Sequence, residues 1–233
     1  MLEICKSLLA LVKDYTMSYR SITLAVVLIF SAFFSNAAPR NNFNCGIEPG
    51  QPLTNPYGPY DAIKPSDAAK LPIVLRAHFT TDVERLIRGS TGSIMGDIDY
   101  TLRAIPNHHR ALAAMAKYQR REKVKLQERD KFYTAHCYFN RAIYFSPKDV
   151  TARMLYAMHL HLTGGLDASL NQYQQALELA PDYAELNYNF GLLLVDLKQY
   201  EEALLVAEKA YSSGYPLPGL KNKLLAVGFK LSE

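Results

Sequence analysis

No tryptophan occurs in these 233 residues, and only three cysteines do. Neither CxxC nor HExxH is present, so the common zinc-ligand spacings are missing. GxSxG is missing as well, and the one glycine-rich stretch, 89-GSTGSIMG-96, lacks the lysine of a phosphate-binding loop. Charge of neither sign dominates: 26 basic residues face 22 acidic ones, for a net +4. That balance is too mild for nucleic-acid binding, which calls for a concentrated basic face. The familiar metal, nucleophile and nucleotide motifs are thereby excluded.

A long hydrophobic run stands at Ile22–Phe34 (ITLAVVLIFSAFF), behind the short positive stretch Met17-Ser18-Tyr19-Arg20. Ser35-Asn36-Ala37 follows, with small residues where a signal peptidase needs them. Residues 1–37 therefore read as a cleaved secretory signal peptide, with Met17 a better start than Met1. The run is short for a membrane span, and the alternative is an uncleaved anchor helix. Removal of residues 1–37 leaves Cys45 and Cys137. In an exported chain such a pair is expected to oxidise, closing a loop of about 90 residues. The alternative is two separate buried thiols.

Residues 38–73 form a Pro/Gly-rich arm, with Pro39, Pro49, Pro52, Pro56, Pro59, Pro65 and Pro72. Proline removes donors and glycine permits turns, so an extended segment is expected here. Tyr57 and Tyr60 in 55-NPYGPYD-61 would be costly left bare, and are expected to pack on the body.

From residue 74 onward apolar residues recur at helical spacing, and two segments repeat with a period of 34. In the unit 150–183, Tyr156, Ala157, Leu160, Tyr173, Ala176 and Pro181 hold positions 7, 8, 11, 24, 27 and 32. In the unit 184–217, Phe190, Gly191, Leu194, Tyr200, Ala203 and Ala210 hold positions 7, 8, 11, 17, 20 and 27. Small residues at 8, 20 and 27 let paired helices approach, large ones fill the gaps, and proline ends the second helix. This register resembles the tetratricopeptide repeat (TPR), a helix–turn–helix unit. The resemblance implies an all-α fold, a right-handed helical solenoid over residues 74–215, with residues 218–233 as a C-terminal capping helix. The span 106–149 fits as a third unit if the charged stretch 120-RREKVKLQERDK-131 carries an insertion. A degenerate unit precedes it, with a helix from about Ile94 to Ala104. Cys45-Gly46, 55-NPYGPYD-61, 96-GDIDYTLRAIPNHHRAL-112 and 215-YPLPGLKN-222 further resemble exported bacterial proteins of this repeat class. That likeness implies no activity.

Candidate chemistry is sparse. His108 and His109 are adjacent, so on a helix they point about 100° apart and chelate one ion poorly. They sit where one repeat ends and the next begins, and cap and junction chemistry is expected of them. His78, Asp97, Asp99, His108 and His109 together are the set on which a small metal-dependent enzyme or hydrolase would rely. The Asp97–Asp99 pair is read instead as helix-surface charge. No cofactor is expected. The charged stretch 120–131 is a solvated face, or a rim against an acidic partner or lipid headgroups.

In peptide-binding TPRs, positions 2, 5, 9 and 12 of each first helix face inward. What the resemblance implies here is an inner surface carrying Arg110 and Lys117 at one end. Met154, Met158 and His161 follow, then Tyr188 and Leu192. It is basic at one end and apolar at the other, which suits an amphipathic or extended protein segment. The leading expectation is a non-catalytic adaptor exported to the bacterial envelope, binding a protein segment of an envelope component. A structural subunit whose body supports the arm is the third possibility. Oligomeric state is not legible.

Overall fold

The computed structural model describes residues 44–122 and 132–232. The signal segment, the first residues of the arm and most of the charged insertion lie outside the described residues. What is described is all helix, turn and extended arm. The helices are α1 (Leu71–His78), α2 (Thr81–Glu84), α3 (Ile94–Ala104), α4 (His109–Glu122) and α5 (Ala135–Phe145). They continue as α6 (Val150–Leu162), α7 (Leu166–Leu179), α8 (Ala184–Asp196), α9 (Tyr200–Ser212) and α10 (Gly219–Ala226). No described helix is long and apolar enough to cross a membrane.

Local chemistry sets the helix starts. Ser93 Oγ accepts from the Gly96 amide at 3.0 Å to open α3, and Thr134 Oγ1 accepts from Cys137 at 3.2 Å to open α5. Asp149 does the same for α6, accepting from the Ala152 amide at 3.0 Å. Such caps satisfy donors that the first turn leaves open. Gly164-Gly165 separates α6 from α7, and Lys198 in the left-handed region (φ 63) turns α8 into α9.

The helices stack in chain order. α6 packs on α7 and α8 on α9 as tight hairpins, and α7 lies against α8. Ala157, Ala176, Ala203 and Ala210 are fully buried at these crossings, which is what their small size permits. Ser169 stands where the repeat prefers alanine; it is buried too, and its hydroxyl donates to the Ala157 carbonyl at 2.8 Å. Two cores result. Val83, Ile98, Leu102, Leu112, Met115 and Phe139 belong to the first, and Tyr173, Leu186, Leu193, Leu194 and Leu224 to the second. α6 is the wall between them: Ala152 and Tyr156 face the first core, Met154 and Ala157 the second.

The terminal helix is shorter than the sequence pattern suggests. Leu220 and Leu224 are buried on α8 and α9, but Leu225 is 46% exposed and Phe229 packs beyond the helix on Tyr200. α10 begins near where a further 34-residue unit would place its first helix, and it takes that helix's place on the stack.

The arm is pinned along its length. Cys45 and Cys137 form a disulfide. Arg141 donates from Nη1 to the carbonyls of Cys45 and Gly46, and the Tyr144 hydroxyl to that of Gln51 at 2.8 Å. The Tyr60 amide bonds the Ala104 carbonyl at 2.8 Å. Gly58 (φ +96) passes so close that a β-carbon there would lie 2.4 Å from that same carbonyl oxygen. Tyr57 rests against Val74, Ala104 and Ile105.

Candidate functional site

Position 9 of consecutive first helices brings Met158 of α6 beside Leu192 of α8. Between them opens a cavity of about 400 Å³, with Tyr173 of α7 and Leu162 completing its apolar lining. Its polar edge is Asn189, His161, Asp196 and Lys223. His161 Nε2 donates to Asp196 Oδ2 at 2.8 Å, and Lys223 Nζ, arriving from α10, donates to Oδ1 at 2.8 Å. Partial burial by itself would raise the Asp196 carboxyl. The hydrogen bonds from Lys223 and His161, with their charges, outweigh that and hold it below the ordinary range. The site is thus an apolar slot with a locked, internally compensated ionic rim.

Three of the residues expected to meet a partner, Met158, His161 and Leu192, are gathered in this slot. Two others are corrected. Met154 is 1% exposed and belongs to the second core, and Tyr188 is 7% exposed. Tyr188 lies beneath Tyr215, with ring centroids 4.4 Å apart, and against Gly219, where a β-carbon would come 2.6 Å from its hydroxyl. Position 5 therefore faces into packing in both units, and at Tyr188 the arriving terminal segment covers it. Arg110 and Lys117 do not line the slot. Arg110 is tied to Glu84 through Nε at 2.6 Å and through Nη2, and Lys117 is exposed. Sequence reasoning missed Tyr173, Asn189, Asp196 and Lys223. The signal that could have found Lys223 is the further first helix placed at the 34-residue offset.

The five residues of the enzyme alternative do not converge. His78 Nδ1 meets Asp97 Oδ1 at 3.0 Å. Asp97 also accepts from the Ser90 amide at 2.6 Å, the Thr91 amide at 3.1 Å and the Thr91 hydroxyl. It is buried and ties the Gly89–Gly92 loop to α3, so its reading as surface charge is overturned. Asp99 is buried as well, accepting from the Tyr138 hydroxyl at 2.5 Å and from Arg103 Nε at 3.0 Å. Periodicity could not reveal this, because partners outside α3 compensate these carboxylates: His78 and the Gly89–Gly92 loop for Asp97, and Tyr138 for Asp99.

His108 and His109 lie at the seam. His108 Nδ1 accepts from the Ala111 amide at 3.2 Å, a capping bond that requires the neutral ring. Burial, then the neighbouring charges of His109 and Arg110, lower its pKa to about 4. His109 Nε2 reaches Asp149 at 2.8 Å. Between the two histidines and the arm lies Asn107, fully buried. Its amide nitrogen donates to Asp61 Oδ1 at 2.7 Å and Asp149 Oδ2 at 2.8 Å, while its oxygen accepts from the Ala62 amide at 2.9 Å. One asparagine so joins the arm, α4 and α6.

A larger cavity, about 1020 Å³, opens over α9 between Phe190, Leu194 and Leu205. Leu231 and Ser232 line its edge, and Ser232 bonds Glu208, so the chain's own tail already crosses it.

Residues 160–198 match the family model of the TPR repeat. That span runs from the end of α6 through α8 and contains most of the slot. That stretch carries the tetratricopeptide repeat pattern, and stacked repeats of this kind present extended surfaces for binding. Among solved structures, MamA is similar at 17% identity over 57% of this chain and 73% of its own, with a TM-score of 0.43. YrrB, described as a TPR protein with an unusual peptide-binding site, is similar at 19% identity over 68% of this chain and 90% of its own, with a TM-score of 0.37. No curated protein matches the chain.

Proposed function

We propose that this protein is a non-catalytic adaptor that holds a segment of another protein against the inner face of its repeats, with an apolar side chain of that segment seated in the Met158–Leu192 slot. One observation carries the reading: an apolar cavity of about 400 Å³ opens between first helices of consecutive repeats, and its charged rim is compensated within the molecule. Such a slot accepts an aliphatic side chain without stranding a charge. The partner is a protein or peptide and not a nucleic acid, in keeping with the balanced charge.

The place of action is proposed to be the bacterial envelope, outside the reducing cytosol. The Cys45–Cys137 disulfide and the signal-like segment before Ala38 support this. The partner is then an envelope component.

Crosslinking in intact cells, followed by capture of the tagged full-length chain, tests both statements. A discrete partner should be recovered with the wild type and lost with Leu192→Glu at unchanged helicity. Capture that survives Leu192→Glu would sink the slot assignment, and a fully reduced Cys45–Cys137 pair in cells would sink the envelope assignment.

A further inference from the structure

The inner face also specifies the charge of the segment it receives, an inference that rests on the adaptor reading above. Position 12 of α4 is Arg120, which is half-buried. Its Nη1 lies 3.4 Å from His159 Nδ1, and among the described residues no carboxylate reaches it. His159 is buried on α6 and stays neutral: burial first, then Arg120 and His136, lower its pKa to about 4. A guanidinium is therefore kept beside a neutral acceptor, partly out of water, where a carboxylate would be the better match. Lys117, one turn earlier on α4, is exposed and adds a second positive charge. The neighbouring first helix carries Met158 and the slot. Asp196, the acid at the slot's rim, is already held by Lys223 and His161, so it does not repel an incoming carboxylate.

Packed neighbouring helices lie about 8–10 Å apart, and an extended chain advances about 3.3 Å per residue. The Arg120 guanidinium already reaches α6 at His159 and the slot opens from α6 toward α8, so a segment joining them crosses at most about one such spacing, about three residues. We propose that the ligand is an extended acidic–apolar segment, in which an Asp or Glu engages Arg120 while an aliphatic side chain three residues away enters the Met158–Leu192 slot.

The test is a phage-displayed random heptapeptide library panned on the immobilised full-length protein, on Arg120→Gln, on Lys117→Glu and on Met158→Glu. The wild type should enrich Asp or Glu three positions from Leu, Ile or Met. A synthetic copy of the enriched peptide should bind Arg120→Gln about tenfold more weakly, as expected for loss of one charge-assisted contact. Its binding should weaken as salt is raised. Should Arg120→Gln lose its helical circular dichroism, Lys117→Glu, at an exposed position, should still weaken binding about threefold. Enrichment of apolar residues alone, abolished by Met158→Glu, would overturn the acidic–apolar assignment and leave the adaptor reading intact. An acidic preference indifferent to both Arg120→Gln and Lys117→Glu would do the same. No enrichment, or enrichment that Met158→Glu leaves untouched, would overturn both.

Discussion

His109 holds Asp149 across forty residues of chain, its Nε2 lying 2.8 Å from each carboxylate oxygen. The same carboxylate caps α6 and accepts from Asn107, so three elements depend on one side chain. Asp149→Ala removes a helix cap and leaves Asn107 with a buried donor unmatched. The expected cost is about 2–4 kcal/mol, read as a lowered urea midpoint with an unchanged slope. An unchanged midpoint would mean that water replaces the carboxylate.

Stability should climb between about pH 4 and pH 6.5 and level off above. His108 and His159 are both lowered to about 4 from an ordinary 6.5, chiefly by burial. In that window the unfolded chain binds protons that the folded one refuses, so acidification favours unfolding. Each ring contributes at most about 3 kcal/mol across the window. Asp149, Asp97 and Asp196, whose carboxyls are held below the ordinary range, add further loss below about pH 4. Urea unfolding at pH 4.5 and 7 should differ clearly in the wild type and less in His159→Gln.

Replacing Cys45 and Cys137 by alanine together releases a closure spanning 92 residues. Loop entropy puts the loss at about 4–5 kcal/mol. Guanidinium unfolding of the double variant, compared with the oxidised parent, measures it. A shift of under 1 kcal/mol would show that the arm's hydrogen bonds already organise the unfolded ensemble.

Gly191→Val should detach the terminal helix. A β-carbon at Gly191 would lie 2.4 Å from Leu220 Cδ2 and 3.2 Å from Val206 Cγ2. The overpacking costs about 1–3 kcal/mol, and hydrogen exchange should quicken through 219–226 while α3 to α5 keep their protection. Because Lys223 rides on that helix, the slot should loosen with it.

Much of the fold was legible because one physical rule generates it. Alanine and glycine at 8, 20 and 27 can only mean close helix crossings, and they are buried at such crossings. The helix expected from about Ile94 to Ala104, after the glycine-rich stretch, lies where it was placed. The slot was legible in part: Met158, His161 and Leu192 came from the repeat register. Tyr188 and Met154 came from the same register and went astray, since the face a residue presents does not say what later packs on it. The terminal helix covers Tyr188, and nothing within its own unit announces that. Asp97, Asp99 and Asn107 were harder still. Their partners lie up to 46 residues away, and no local period encodes such pairings.

The disulfide gives the molecule a fastened end and a free one. From Cys45 to Cys137 the chain is a covalent ring, enclosing α1 to α4 and the opening of α5. From α6 onward the described stack is an open ladder, held by packing and hydrogen bonds such as Lys223–Asp196 rather than by a covalent link. Unravelling will therefore start at the ladder's far rung, α10, and reach the slot before it reaches the ring. A bound segment bridging Arg120 and Met158 would clip the ladder back to the fastened half, so occupancy should be felt most as slowed exchange in α8 to α10, far from where the chain is bonded shut.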